Sequence, residues 1–217
     1  MKFRVESTLA RTVSWDNFPP DLHQPEEILL DFSVESQRQS QWCWSAIAVS
    51  LAQFYSTGLL SQSELVKKMM ALSDDNPSKN SKNVSDYNQP AVLEHALRFM
   101  GCYGHWNPGR ASLERLYLAL IEQSLPCVRV EWPKGGAHFL VIKGVNIKTQ
   151  SLWIEDPLYG PSEQAYDQFP KQYIHAQGVW SETYWATANA DCENTDSGQA
   201  LNYSLVLHNQ KESEFNE

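Results

Sequence analysis

The sequence predicts an α+β fold in which helices form the first half of the chain and an antiparallel sheet forms the second half. Up to about residue 125, apolar residues recur at helical spacing. From Pro126 onward they alternate or form short continuous runs, which is typical of strands. The turn sequence Pro133-Lys-Gly-Gly136 joins two such runs, as in an antiparallel hairpin. We therefore expect a helical lobe packed on a sheet lobe, with a cleft between them.

The chain's 217 residues suffice for one domain made of two lobes. We place the helical lobe at about residues 29–125 and the sheet lobe at about 126–187. Residues 1–28 are rich in proline near their end, and we interpret them as an N-terminal extension. Residues 188–217 are interpreted as a C-terminal extension with a strand at 203–207.

The composition argues against several classes of protein. A net charge of −9 and a pI of about 5.1 disfavour a nucleic-acid-binding surface, which needs clustered Lys and Arg. No apolar run approaches the roughly 18 to 20 residues of a membrane span, and no secretory signal is recognisable. We expect a cytoplasmic protein, with signal-less secretion left open. No Cys-x-x-Cys pair occurs, so we expect no zinc site and no disulfide framework. We also expect no cofactor. The four cysteines are Cys43, Cys102, Cys127 and Cys192.

Four helices are predicted in the first lobe. The first begins at Cys43 and is apolar on nearly all sides, so we expect it to be buried. The second begins at Ser61-Gln-Ser-Glu64, which has capping-box spacing. Pro90 starts the third helix and Gly101 ends it. The predicted helices span about 43–55, 61–72, 90–100 and 112–123, with an exposed loop at 73–88.

Four strands are predicted in the second lobe. The segment from His138 to Ile147 is apolar on both faces, as an interior strand would be. The segment from Ser151 to Glu155 returns antiparallel to it and ends at an Asp-Pro pair. The predicted strands span 127–132, 138–147, 151–155 and 179–186, with a weaker edge strand at 2–6.

Cys43 is the candidate nucleophile because a polar loop delivers it to the N-terminal end of a buried helix. The free N–H groups and positive dipole end there favour an anion, and hence a thiolate over a thiol. The alternative is a small buried core residue, which is what most cysteines are. The other three cysteines have no comparable setting.

His138 is the candidate base, and Asp156 is the candidate that orients it. His138 opens an interior strand just after Gly135 and Gly136, two glycines that would let a substrate backbone approach closely. Asp156 ends the return arm of the same hairpin, so antiparallel pairing could bring both residues to one end of the sheet. The two arms are unequal, so this contact requires a bulge or an offset register. The alternative is that Asp156 only ends a strand.

Further candidates surround the thiol. Gln37 precedes Cys43 by six residues, and its amide could join the Cys43 backbone N–H in binding an oxyanion. Gln39 and Gln41 are rivals, and any of the three could be a solvated loop residue. We expect Trp44 to contact substrate. Trp42 and Trp132 are further candidates for contact with substrate, although tryptophans are more often core residues.

Three motifs together resemble the papain-like cysteine protease superfamily. They are Gln-x5-Cys-Trp-Ser-Ala, Gly-Gly-Ala-His-Phe-Leu-Val-Ile-x-Gly and Trp-Ile-Glu-Asp-Pro. They are most similar to its compact bacterial branch, which includes effector proteases and bacteriocin-leader peptidases. The matching segments cover about residues 37–56 and 126–160. The resemblance implies a papain-like fold over residues 29–187 with a cleft between the lobes. It implies these site roles: Cys43 as nucleophile, His138 as general base and acid, Asp156 as orienting residue and Gln37 as oxyanion donor.

The leading functional hypothesis is therefore a cysteine peptidase that cleaves a protein or peptide substrate through a thioester intermediate. A second hypothesis is an acyltransferase or a transglutaminase-like deamidase that uses the same thiol. A third is an inactive papain-like module that only binds. The sequence leaves the oligomeric state open.

Overall fold

The computed structural model describes residues 25–73, 87–175 and 177–188. The strands predicted at 2–6 and 203–207 lie outside the described residues. So do most of the predicted N- and C-terminal extensions and nearly all of the predicted loop at 73–88.

The helical first half is confirmed. The side chain of Ser61 caps the second helix and accepts the Glu64 backbone N–H, while Glu64 reaches back to the Ser61 backbone N–H. Leu93 begins the third helix three residues later than predicted. Ser112 caps the fourth by accepting the Arg115 N–H. The bounds are α1 Cys43–Phe54, α2 Gln62–Ser73, α3 Leu93–Phe99 and α4 Leu113–Ile121.

Seven strands form one antiparallel sheet within the described residues. The four strands predicted in the second half are present, and three further strands join them. One of these, Tyr103–Pro108, comes from the predicted helical lobe and forms an edge of the sheet. The bounds are β1 Glu27–Leu29, β2 Tyr103–Pro108, β3 Leu125–Glu131, β4 Ala137–Asn146, β5 Ser151–Glu155, β6 Ser162–Ala165 and β7 Val179–Ala186.

The strand order is β2-β7-β3-β4-β5-β6, and β1 pairs with β4. β4 therefore lies in the interior, as its apolar sequence predicts. Helices α1 and α4 both pack on β4, which brings the start of α1 to the sheet. Glycine is required at position 144 of β4, because a side chain there would collide with Leu29 Cδ1 at 2.7 Å and with the Ile28 carbonyl oxygen at 2.9 Å. The sequence predicts the boundary between the N-terminal extension and the helical lobe at residues 28 and 29. β1 starts at Glu27 and crosses this boundary.

A β-bulge interrupts the pairing of β4 with β5. Ile142 lies opposite Ile154, whereas Gly144 lies opposite Trp153, so Lys143 is the extra residue on β4. The unequal arms of the hairpin are accommodated at this position.

The bulge decides which face of the sheet Asp156 lies on. Val141 pairs with Glu155, and continuing that register by one residue places Asp156 opposite Leu140. Leu140 and His138 are two residues apart on one strand and so share a face. A register shift of one residue moves every side chain of a strand to the other face of the sheet. Without the bulge, His138 and Asp156 would therefore lie on opposite faces.

The bulge residue also ties the sheet to the segment that leads into α1. The Lys143 Nζ lies 2.6 Å from Glu155 Oε1 and donates to the Phe32 carbonyl oxygen at 3.1 Å. The other Glu155 oxygen accepts the Val34 backbone N–H at 3.2 Å. This largely buried ion pair holds the segment around Phe32 and Val34, which leads into α1, against the sheet. Among the described helices, none has both the length and the apolar composition that a membrane span requires.

Candidate active site

Cys43 is the first residue of α1 and is buried. Trp42 occupies the N-cap position, and no side chain caps the helix there. Ring N–H groups anchor this end of the helix instead: Trp42 donates to the Tyr87 carbonyl and Trp44 to the Gln89 carbonyl. Trp44 is completely buried, so it packs in the core and has no surface exposed to a substrate.

His138 is the second residue of β4 and is also buried. Its Nε2 lies 2.8 Å from Asp156 Oδ1, which leaves Nδ1 as the ring nitrogen available to the thiol. Burial by itself lowers the pKa of His138. Hydrogen bonds to Asp156 and to the Cys43 side chain, together with their charges, outweigh burial and raise the pKa from 6.5 to about 9. The ring is therefore held as an imidazolium at neutral pH.

Asp156 is the most heavily hydrogen-bonded side chain of the site. Its Oδ1 also accepts the backbone N–H groups of Leu158 at 2.7 Å and Tyr159 at 2.9 Å. Its Oδ2 accepts the hydroxyl of Tyr173 at 2.7 Å. Burial would raise the pKa of Asp156, but the bonds and charge of His138 and the donors from Tyr159 and Tyr173 lower it overall. The carboxylate is therefore ionised and fixed in orientation.

Two tyrosines enclose the imidazole and the carboxylate. The Tyr159 ring meets the His138 ring edge to face at 5.9 Å and the Tyr173 ring at 6.4 Å. Tyr173 is buried, and the charge of Asp156 adds to the effect of burial in raising the pKa of its hydroxyl. Sequence reasoning missed Tyr173, because it lies in a short 3₁₀ turn, Tyr173–His175, that no periodic pattern marks.

Gln37 lies in the loop before α1, and its backbone N–H donates to the Pro157 carbonyl at 2.8 Å. This bond joins the loop to the turn that follows Asp156. The side-chain nitrogen of Gln37 donates to the carbonyls of Gln39 and Ser40, both at 2.9 Å. Its Oε1 is buried and has no hydrogen-bond partner among the residues that the structure describes. The amide thus folds back onto its own loop, and its role as an oxyanion donor stays a prediction.

The rival glutamines hold the loop through their backbone. The Gln39 carbonyl accepts the Trp42 N–H at 3.1 Å, and the Gln41 N–H donates to the Asn88 side chain at 2.9 Å. No described hydrogen bond uses the side chain of Gln39 or Gln41.

A buried glutamine that sequence reasoning missed supports the same loop. Gln62 opens α2 and is completely buried. Its Oε1 accepts the Arg38 N–H at 3.0 Å, and its Nε2 donates to the Ser36 carbonyl at 3.0 Å. The capping-box sequence around Gln62 predicts the start of a helix. Nothing in it indicates that the Gln62 side chain bonds to the loop before α1.

Gly135 and Gly136 lie in the exposed turn between β3 and β4. Their φ angles are 91° and 83°, a left-handed conformation that favours glycine. A side chain at either position would meet nothing within 4 Å. Backbone conformation therefore explains both glycines, and close approach of a substrate there stays a prediction.

Comparison with known proteins fixes the family. The family described as papain-like cysteine protease AvrRpt2 matches residues 26–174. The chain belongs to this family. It is thus a papain-like cysteine protease, a hydrolase, as the resemblance implied.

Two solved structures are similar to this papain-like protease. One is a double glycine motif protease from an AMS/PCAT transporter in complex with the leader peptide, with 16% identity and a TM-score of 0.41. That match covers 73% of this chain and 94% of the other. The other is the Pseudomonas avirulence protein AvrPphB, with 10% identity, a TM-score of 0.34, and coverage of 72% and 98%. No curated protein matches the chain.

Proposed function

We propose that this protease cleaves peptide bonds through a catalytic triad of Cys43, His138 and Asp156. The observation that carries the proposal is the position of the buried His138 ring, bonded to Asp156 on one side and to the Cys43 side chain on the other. A nucleophile, a base that it can reach and a group that orients the base are the parts that covalent catalysis requires.

In the first half of the reaction, the Cys43 sulfur attacks the carbonyl carbon of the scissile peptide bond and forms a C–S bond. The carbonyl oxygen becomes an oxyanion. His138 then donates its proton to the amide nitrogen as the C–N bond breaks. The amine product leaves, and the acyl group stays on Cys43 as a thioester.

In the second half, water attacks the thioester carbonyl and transfers a proton to the neutral His138. The C–S bond breaks, the acid product leaves, and the thiolate–imidazolium pair is restored. Asp156 stays ionised throughout, and its fixed position keeps Nδ1 directed toward the sulfur.

The start of α1 supplies the donor for the oxyanion. The first N–H groups of a helix have no partner within the helix, and the N-cap residue Trp42 does not cap α1 with its side chain. We therefore assign the Cys43 backbone N–H as the oxyanion donor. Gln37 would assist only if its amide nitrogen exchanged a loop carbonyl for the oxyanion.

The test combines thiol labelling with product analysis. Iodoacetamide at neutral pH should modify Cys43 first in the wild-type protein and lose that selectivity in His138→Ala. A peptide library should yield cleaved products, with the acyl-enzyme detected on Cys43 by mass spectrometry. Uniform slow labelling of the cysteines would contradict the triad. Ammonia release from glutamine without chain cleavage would favour the deamidase hypothesis instead.

A further inference from the structure

A cavity of about 600 Å³ lies beside the start of β7. Phe169, Val179 and Trp180 form its apolar wall, and Arg110 and Lys171 supply two positive charges. We call it the cationic cavity. None of the described residues that line it is acidic.

The cationic cavity lies close to the catalytic histidine. Trp180 pairs with Val130, and Val130 pairs with His138, so the three residues form one row across three adjacent strands. Paired residues on adjacent strands point to the same face. With strands about 4.8 Å apart, the backbones of Trp180 and His138 are roughly 10 Å apart.

Neither cation of the cavity is neutralised by a carboxylate that the structure describes, although one nitrogen of Arg110 already donates to the Tyr166 carbonyl. The Arg110 guanidinium stacks on the Tyr166 ring at 3.7 Å from its centroid, which holds the side chain in place. Within the described residues, neither Arg110 nor Lys171 forms an ion pair with a carboxylate. Glu131, the acid next to Val179 in the sheet, is already paired with Arg129.

The apolar wall of the cavity contacts Tyr173, the residue whose hydroxyl donates to the Asp156 carboxylate. The Phe169 ring meets the Trp180 ring at 5.8 Å on one side and the Tyr173 ring at 5.3 Å on the other. Tyr173 in turn donates to Asp156. The rings of Phe169 and Tyr173 therefore link the wall of the cavity to Asp156 of the triad.

We propose that the cationic cavity binds a carboxylate on the leaving-group side of the peptide substrate. The inference rests on the proposed function, in which His138 protonates the leaving amine. The leaving segment must therefore pass the His138 side of the cleft. A span of roughly 10 Å corresponds to about three extended residues. The carboxylate is either an acidic side chain near that position or the C-terminal end of the substrate.

The experiment uses the library peptide that Cys43→Ala binds most tightly, made in four forms. Glu or Gln occupies the third position after the scissile bond, and the C-terminus is either free or amidated. The kcat/KM of each form is measured with wild-type protein, Lys171→Gln, Lys171→Arg and Lys148→Gln. Lys148 is the matched control, an exposed cation in the turn between β4 and β5 at the opposite end of the sheet. Binding of the same peptides to Cys43→Ala gives a readout that does not need cleavage.

Wild-type protein should prefer a carboxylate-bearing form by about two- to fivefold, the range for a partly exposed ion pair. The preference should disappear in Lys171→Gln, return in Lys171→Arg and persist in Lys148→Gln. A preference for Glu identifies a side chain, and a preference for the free C-terminus identifies the chain end. Equal kcat/KM for all four forms, or a preference retained in Lys171→Gln, overturns the inference. Carboxylate-selective binding to Cys43→Ala without cleavage by wild type would instead overturn the proposed function alone.

Discussion

Two buried cysteines of this protein have opposite surroundings. Cys127 is completely buried in β3, and its sulfur faces the Leu125 carbonyl at 3.9 Å. Burial, together with the nearby Cys102, raises the pKa of Cys127 well above its ordinary value. Cys43 is also buried, but its side chain bonds to the imidazole of His138.

The comparison teaches that burial alone makes a thiol inert, whereas a buried partner of opposite charge can make it reactive. The partner at Cys43 is itself controlled by a third group, since Asp156 helps to raise the pKa of His138 to about 9.

Cys43→Ala should abolish peptide cleavage, a loss of at least about a thousandfold in kcat, because it removes the sulfur that attacks the substrate carbonyl. Circular dichroism should show an unchanged fold. Cys127→Ala is the matched control: it should lower the free energy of unfolding by leaving a small cavity, while kcat stays near the wild-type value. Cleavage that survives in Cys43→Ala would move the nucleophile elsewhere.

His138→Ala should reduce kcat by about 10²- to 10⁴-fold, the usual contribution of general acid–base catalysis. Asp156→Asn should reduce it less, because an Asn oxygen can still accept the His138, Leu158 and Tyr159 donors at the Oδ1 position. Steady-state kinetics of both variants decide the order. An equal or greater loss in Asp156→Asn would mean that the charge of Asp156, beyond its orienting role, governs the rate.

The elements that carry the site could be predicted because their sequences are one-sided or fully apolar. α1 and β4 are buried along almost their whole length, so their composition alone identifies them. The three missed strands lack such a signal. β2 has five exposed residues out of six, and β6 alternates between partly buried and exposed positions without an apolar core side. Their places are set by neighbouring strands, which a local pattern does not report.

The geometry of the site could be anticipated only in part. The unequal hairpin indicated a bulge or an offset register, but nothing local marked Lys143 as the extra residue. The roles of Tyr173 and Gln62 depend on contacts between distant segments of the chain. Trp44 was expected to contact substrate, whereas it is buried with its N–H bonded to Gln89. Proximity to Cys43 in sequence could not distinguish a core tryptophan from a cleft tryptophan.

The pH dependence tests the coupling between the thiol and the imidazole. Cleavage should fall as pH rises through about 9, because His138 must carry a proton to release the amine. In Cys43→Ala the pKa of His138 should be lower than in wild type, since burial remains and one of the two partners that raise it is lost. NMR titration of the imidazole measures this shift. An unchanged pKa would show that Cys43 does not contribute to holding the proton.

The same shift affects stability. The folded-state pKa of His138 lies above its unfolded value of 6.5, so its contribution to stability is fully present below about pH 6.5. That contribution should be lost as pH rises through about 9. Denaturant unfolding of wild type and His138→Ala across this window would reveal it as a difference that shrinks with rising pH.

Tyr173→Phe should have the smallest effect, because it removes one of four donors to Asp156 and keeps the ring. The free energy of unfolding should fall by about 1.5–3 kcal/mol, the range for a hydrogen bond to a charged group. In the wild-type protein the Tyr173 hydroxyl lowers the pKa of Asp156. Its removal should therefore raise that pKa and move the acid limb of the plot of kcat against pH to higher pH. Tyr117→Phe is the matched control, because this substitution removes a tyrosine hydroxyl that donates to the Pro25 carbonyl, away from the triad. If both variants lose stability but neither moves the acid limb, Tyr173 is only a structural residue and the carboxylate is positioned by its other three donors.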